Sequence, residues 1–181
     1  MKIRQTIFLL PLFLLAGCAS AGGSQSRDLD LKELCTEEHV FLYADFEWGT
    51  DSEQLFKQSS LKFDEKDQGQ GDESSTKTYE SKEKFSLENA ESNMDLEFSD
   101  GQLSQVSFTF DIEQDANTWI QKEVDELNSL YGGGIATGLG NQIYQWQGEQ
   151  DTVLQLTAFT EGDESATVIL SVASMEYSIG S

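Results

Sequence analysis

Residues 94–112 read MDLEFSDGQLSQVSFTFDI. Met94, Leu96 and Phe98 alternate with acids, and Val106, Phe108, Phe110 and Ile112 alternate with small or polar residues. Period-two alternation puts one side of a strand in a core and the other in solvent. Two such runs around Ser99-Asp100-Gly101 make a hairpin. If those three residues form the loop, Phe98 faces Gln102, Met94 faces Val106, and every apolar residue lies on one sheet face. Gly101 then takes the left-handed position of a bulged turn. A two-residue loop would pair Phe98 with Leu103 and drive the two apolar sets to opposite faces.

The period changes downstream. In residues 115–131, DANTWIQKEVDELNSLY, Ile120, Val124, Leu127 and Tyr131 recur at helical spacing. Asp115 is placed to cap the start and Gly132 to end the helix. Residues 142–147, 152–160 and 165–174 alternate again around Tyr144 and Trp146, Leu154 and Leu156, and Val168 and Leu170, so each reads as a strand with one buried face. Upstream, Thr50 and Glu53 have capping-box spacing and open a short helix that ends near Ser59, with Leu55 and Phe56 facing the core. Residues 61–65 and 76–85 read as strands around a charged loop, 64–75. Leu31, Leu34 and Cys35 fit one face of a first short helix. The Val40–Tyr43 run is too short to separate strand from connector. The order predicts an α+β fold, a two-layer sandwich with helices on one face of an antiparallel sheet. It also admits duplication of a helix-plus-meander unit. With Gly49-Thr50 entering the first helix, this order resembles the repeat of the BamE-like (SmpA/OmlA) lipoproteins and of the β-lactamase inhibitory protein. That resemblance implies partner binding. The second helix beside the first, and a Gly-Met-Thr entry, have no counterpart here.

The chain begins MKIRQTIFLLPLFLLAGCAS. Lys2 and Arg4 precede an apolar run, Ile7 to Ala16, too short to span a bilayer but suited to an export signal. Leu15-Ala16-Gly17-Cys18 resembles the lipobox of bacterial lipoproteins. The resemblance implies cleavage between Gly17 and Cys18 and a diacylglycerol thioether on Cys18, a durable membrane anchor. Ala19 in place of aspartate leans toward an outer membrane if the host has one. The division expected is a signal peptide at 1–17, a lipidated tether at 18–27 and one acidic domain at 28–181.

Thirty-three acids face eleven cations, for a net charge of −22. Losing Lys2 and Arg4 with the signal takes this to −24. Nucleic-acid binding needs the opposite sign, so none is expected. A cationic partner fits the charge; an acidic surface kept for solubility fits it as well. With Cys18 carrying lipid, Cys35 has no intrachain partner.

Chemistry-bearing motifs are few. Cys35 and His39, four residues apart, would share a helical face and could form a thiolate pair. They are also the only unspent nitrogen and sulfur ligands, too few for zinc. Loops starting at Asp64 and Asp111 fail the EF-hand pattern, because Lys66, Ser75 and Lys122 stand where acids are needed. The glycines between 132 and 140 follow a helix instead of preceding one, so they do not form a phosphate loop. Trp48, Trp119 and Trp146 are candidate partner-binding aromatics, with core packing as the ordinary alternative. No catalytic residue, metal site or cofactor beyond the lipid is expected. The sequence therefore reads as a non-enzymatic, membrane-tethered protein-interaction module: an assembly factor, inhibitor or sensor. The alternative is a lipoprotein that binds a small ligand or a cation.

Overall fold

The computed structural model describes residues 26–67, 75–137, 142–162 and 164–178. The signal peptide, the Gly17–Cys18 cleavage site, the Cys18 anchor and most of the tether lie outside these residues, as do Gly138 and Gly140.

The described residues form nine strands: β1 (Arg27–Asp28), β2 (Phe63–Glu65), β3 (Thr76–Leu87), β4 (Ala90–Ser99), β5 (Gln102–Ile112), β6 (Ile135–Thr137), β7 (Gln142–Gln147), β8 (Thr152–Glu161) and β9 (Ser165–Ser174). They make one open sheet in the order β1-β3-β4-β5-β9-β8-β7-β6, with β2 also on β3. Only the β1–β3 pairing is parallel. Three α-helices accompany the sheet: α1 (Ser52–Gln58), α2 (Ala116–Tyr131) and α3 (Met175–Ser178). The chain is thus sheet-rich α+β. Arg27, the last residue of the expected tether, pairs with Phe85 of β3.

The deciding hairpin takes a route the sequence reading did not consider. Its loop has two residues, Asp100 and Gly101, both left-handed at φ 50° and 79°, as a type I′ turn requires. Phe98 does pair with Leu103. The faces nonetheless agree, because Gln105 rather than Ser104 pairs with Glu97. Ser104 is the extra residue of a β-bulge, and it restores the parity that the short loop removes. Its hydroxyl donates to Glu97 O at 3.1 Å, and it is fully buried. The backbone freed at Leu103 exchanges hydrogen bonds with Thr50 O and Gly49 N, tying the entry of α1 to the sheet.

That tie also shifts the cap of α1. Asp51 bridges to Gln102, its carboxylate accepts from Gln54 N at 2.9 Å, and the helix starts at Ser52. Asp51 therefore caps in place of Thr50. Asp115 does not cap α2 with its side chain, because it is left-handed at φ 52°. Instead the N–H of Ala116 donates to Glu164 O in the β8–β9 turn. Gly132 ends α2 as expected, its N–H bonded to Asn128 O.

Apolar residues of β4, β5, β8 and β9 meet in one core with Ile120, Val124 and Leu127 of α2. Tyr43, Phe85 and Phe108 pack edge to face at its centre, with centroids 5.3 to 6.0 Å apart. Phe56 of α1 stacks on Phe63, and Trp119 of α2 leans on Phe110.

Candidate functional site

The face of the sheet turned away from that core is divided by charge. Toward β3 and β4 it is salt-bridged: Lys66 Nζ lies 3.0 Å from Glu80 and 2.8 Å from Asp95, and Lys84 Nζ lies 3.2 Å from Glu91. From β5 to the β6 edge it changes character. One cross-strand row runs Thr109–Ile169–Thr157–Ile143–Thr137, and the next runs Ser107–Ser171–Gln155–Gln145–Ile135. Neither row holds an ionisable side chain within these five strands. In a chain that is 24% charged, about two such positions would be expected. Two of the exposed large hydrophobics, Ile135 at 61% and Phe159 at 41%, lie on this same face. Acids return at its border: Asp95 continues the second row on β4, and Asp111 accepts from Thr167 Oγ1 at 2.9 Å.

Sequence reasoning missed this surface, although its signal was present. The outward alternates of 142–147, 152–159 and 165–173 are Ile, Gln, Val, Thr, Phe, Ser and Ala, without a charge.

At the end of β8 and β9 lies an open cleft of about 600 Å³, lined by Glu37, Glu38, Glu47, Trp48, Glu176 and Tyr177 among others. Its walls are joined by hydrogen bonds. Thr152 Oγ1 accepts from Phe41 N and donates to Glu149 O, Glu149 N donates to His39 O, and Met175 N donates to Asp151 O. Gly49, at φ 77°, lies under the Tyr177 ring, where a Cβ would sit 2.7 Å from Cζ. The cleft lining holds four carboxylates and no cation.

The expected Cys35–His39 pair does not share a helical face. The first turn is a 3-10 helix, Leu31–Leu34, and Cys35 leaves it extended to bridge with Phe41. Val40–Tyr43 is a connector carrying that bridge. His39 is left-handed at φ 65° in the intervening turn, and its ring lies against Phe41. The Cys35 thiol donates to Thr36 O, and burial raises its pKa, the opposite of nucleophile activation. Among the described residues no group of three or more His, Cys, Asp or Glu is placed to hold a metal ion.

The three tryptophans occupy separate places. Trp146 is 3% exposed, and its Nε1 donates to Asn128 Oδ1 and Gly132 O. It locks the end of α2 and cannot meet a partner. Trp48 is half-buried in the acidic cleft and donates to Phe41 O at 2.8 Å. Trp119, also half-buried, lines a different depression with Asn89, Ala90 and Ile112. Beside it α2 buries an acid: Glu123 is 1% exposed and neither of its carboxylate oxygens has a partner. Burial first, then Glu126 and Glu88, push its pKa up to about 7. Helical spacing could have found it, because Glu123 follows Ile120 by three residues on the buried stripe.

No protein-family model, curated protein sequence or solved structure matches this chain. The lipobox and repeat resemblances therefore rest on the residues that carry them.

Proposed function

We propose that this chain is a membrane-tethered, non-enzymatic envelope lipoprotein that holds a protein partner on the uncharged half of its sheet. In this reading lipid on Cys18 moors it, and α1 and α2 back the opposite face as the helical layer of a duplicated two-layer unit. The observation that carries the proposal is the pair of charge-free cross-strand rows spanning five strands in a protein of net charge −22. The centre of a protein interface is depleted of charge and its rim is polar. Five strands at ~4.8 Å spacing span about 24 Å, close to the ~28 Å edge of a square ~800 Å² patch per partner.

The partner's chemistry follows from the border. Toward β4 the border acid Asp95 is already paired with Lys66, but the cleft lining holds four carboxylates and no cation, so Lys and Arg on that side of a partner's patch fit the cleft without meeting like charge. The same acids would steer such a partner during encounter. Trp48 and Tyr177 add aromatic faces that favour a cation.

Two measurements test the reading. Metabolic labelling with palmitate should mark the protein in its host, and Cys18→Ser should abolish the label. Label retained in Cys18→Ser would remove the anchor. Gln155→Glu and Ser171→Glu place acids at the centre of the face without touching the core. Each should weaken capture of the partner at least tenfold while leaving the melting temperature within ~2 °C, as for surface changes. Unchanged capture in both would remove the interface.

A further inference from the structure

The two ends of the sheet are guarded differently. At the β1 and β2 end the edge residues include Arg27, Asp28, Asp64 and Glu65, and Lys82 and Lys77 lie 2.7 and 3.1 Å from the last two. Charge along an edge strand discourages another strand from pairing with it. The opposite end is β6, whose three residues Ile135, Ala136 and Thr137 are all exposed. It carries no charge, no proline and no bulge, and among the described residues no strand pairs with its outer side. Its outward backbone donors and acceptors are open to one more strand.

The sequence around β6 is unlike the rest of the domain. From Leu127 to Gly148, twenty-two residues pass without an Asp, Glu, Lys or Arg, where a chain 24% charged would place about five. Beyond residue 26 no other run is as long. That neutrality selects the occupant. A cationic protein is drawn to the acids elsewhere and gains nothing from this edge. A second copy of the chain also carries a charge of −22, so it is repelled wherever acids meet acids and can approach only where neither side is charged.

The strand also matches itself. Ile135 and Thr137 lie on the uncharged sheet face, in register with Gln145 and Ile143, and Ala136 alternates to the other face. Antiparallel pairing about a two-fold axis at Ala136 sets this residue against its own copy and Ile135 against the partner's Thr137. Either the Ala136 pair or the two Ile135–Thr137 pairs then exchange hydrogen bonds, so donors meet acceptors in both phases of the ladder. The row ending at Thr137 in one copy runs on into the row that starts at Ile135 in the other, and the uncharged face continues over ten strands. Ile135, 61% exposed, gains a cross-strand neighbour.

We propose that β6 is a self-association edge, at which two copies of this chain pair antiparallel about Ala136. The contact does not depend on the lipid anchor or on a protein bound to the sheet face. Three residues a side bury less than the ~1,200 Å² of a standard interface, so the dimer is weak and concentration-dependent.

Sedimentation equilibrium of the full chain in a density-matched detergent tests this up to a concentration of about 1 mM, the weakest range worth following. A monomer–dimer equilibrium is expected, and raising sodium chloride from about 20 to about 300 mM should strengthen it, because salt screens the repulsion between like-charged copies. Ile135→Glu and Thr137→Glu should each weaken association at least tenfold while leaving the melting temperature within ~2 °C, as for surface changes. Oxidative cross-linking with copper phenanthroline reads the register. Facing Cα atoms in an antiparallel pair are about 4.5–5.5 Å apart, within disulfide reach, so Ala136→Cys should cross-link several times faster than the parent. Ile135→Cys and Thr137→Cys should not, since each is displaced from its own copy by two positions, about 8 Å. A monomer at every concentration and salt, association that salt weakens, association unchanged in both acidic variants, or equal cross-linking from the three positions would overturn the assignment.

Discussion

Replacing Glu123 by glutamine should raise stability several times more at pH 8 than at pH 5. The carboxyl is buried against α2's own packing face with no partner for either oxygen. Glu126 and Glu88 oppose its charge, and Lys122, held 2.7 Å from Glu88, gives only partial relief. Its pKa rises from the ordinary 4.5 to about 7. Between those values the folded chain holds a proton that the unfolded chain has released. Raising pH through this window therefore removes stability, and above about 7 the loss is complete. At 1.36 kcal/mol per unit the loss approaches about 3 kcal/mol. Glutamine keeps the shape and carries no charge, so the variant should escape it. For a domain of this size that corresponds to a difference of roughly 6–12 °C in melting temperature. Calorimetry of both proteins from pH 5 to pH 8.5 at fixed ionic strength isolates this group, since the other carboxylates are common to both. A Glu123→Gln variant less stable than the parent at pH 8 would refute the reasoning, because it would mean the charged carboxylate has a partner.

Three other outcomes follow from the fold and the cleft. Deleting Ser104 removes the bulge that brings Phe98 and Phe108 to one face, so the domain should fail to fold; native circular dichroism with an unchanged melting temperature would contradict this. Gly49→Ala sets a Cβ into the Tyr177 ring at a left-handed φ, and should cost about 2 kcal/mol or more by denaturant titration, with part recovered in Gly49→Ala/Tyr177→Ala. Cys35 should alkylate slowly at neutral pH, at a rate His39→Ala leaves unchanged; rapid alkylation that His39→Ala abolishes would restore the thiolate pair.

The elements legible in the sequence were those whose period is long and clean. Ile120, Val124, Leu127 and Tyr131 placed α2, and the alternation of Met94–Phe98 and Val106–Ile112 placed β4 and β5. The hairpin shows the limit of that reading. Alternation fixed which face each apolar residue occupies, but not the loop length, because a bulge and a shorter turn compensate each other. Caps were misplaced for a related reason. Thr50 and Asp115 have capping chemistry, yet long-range backbone pairs decide whether they are free to use it: Leu103 N bonds Thr50 O, and Glu164 O receives Ala116 N. β1 and β6 are two and three residues long, too short to carry a period. The uncharged face was hidden by attention to what strands bury. It appears only when the outward residues of five strands are set side by side in register.

Site-specific photo-cross-linking in intact host cells tests the central claim most directly, with the probe at position 155, 169 or 171 and, for comparison, at 122 or 126 on α2. The account expects one protein to be trapped from all three sheet positions, from neither helix position, and not when Gln145→Glu adds an acid to the face. Equal trapping from the helix, or none from the sheet, would contradict it.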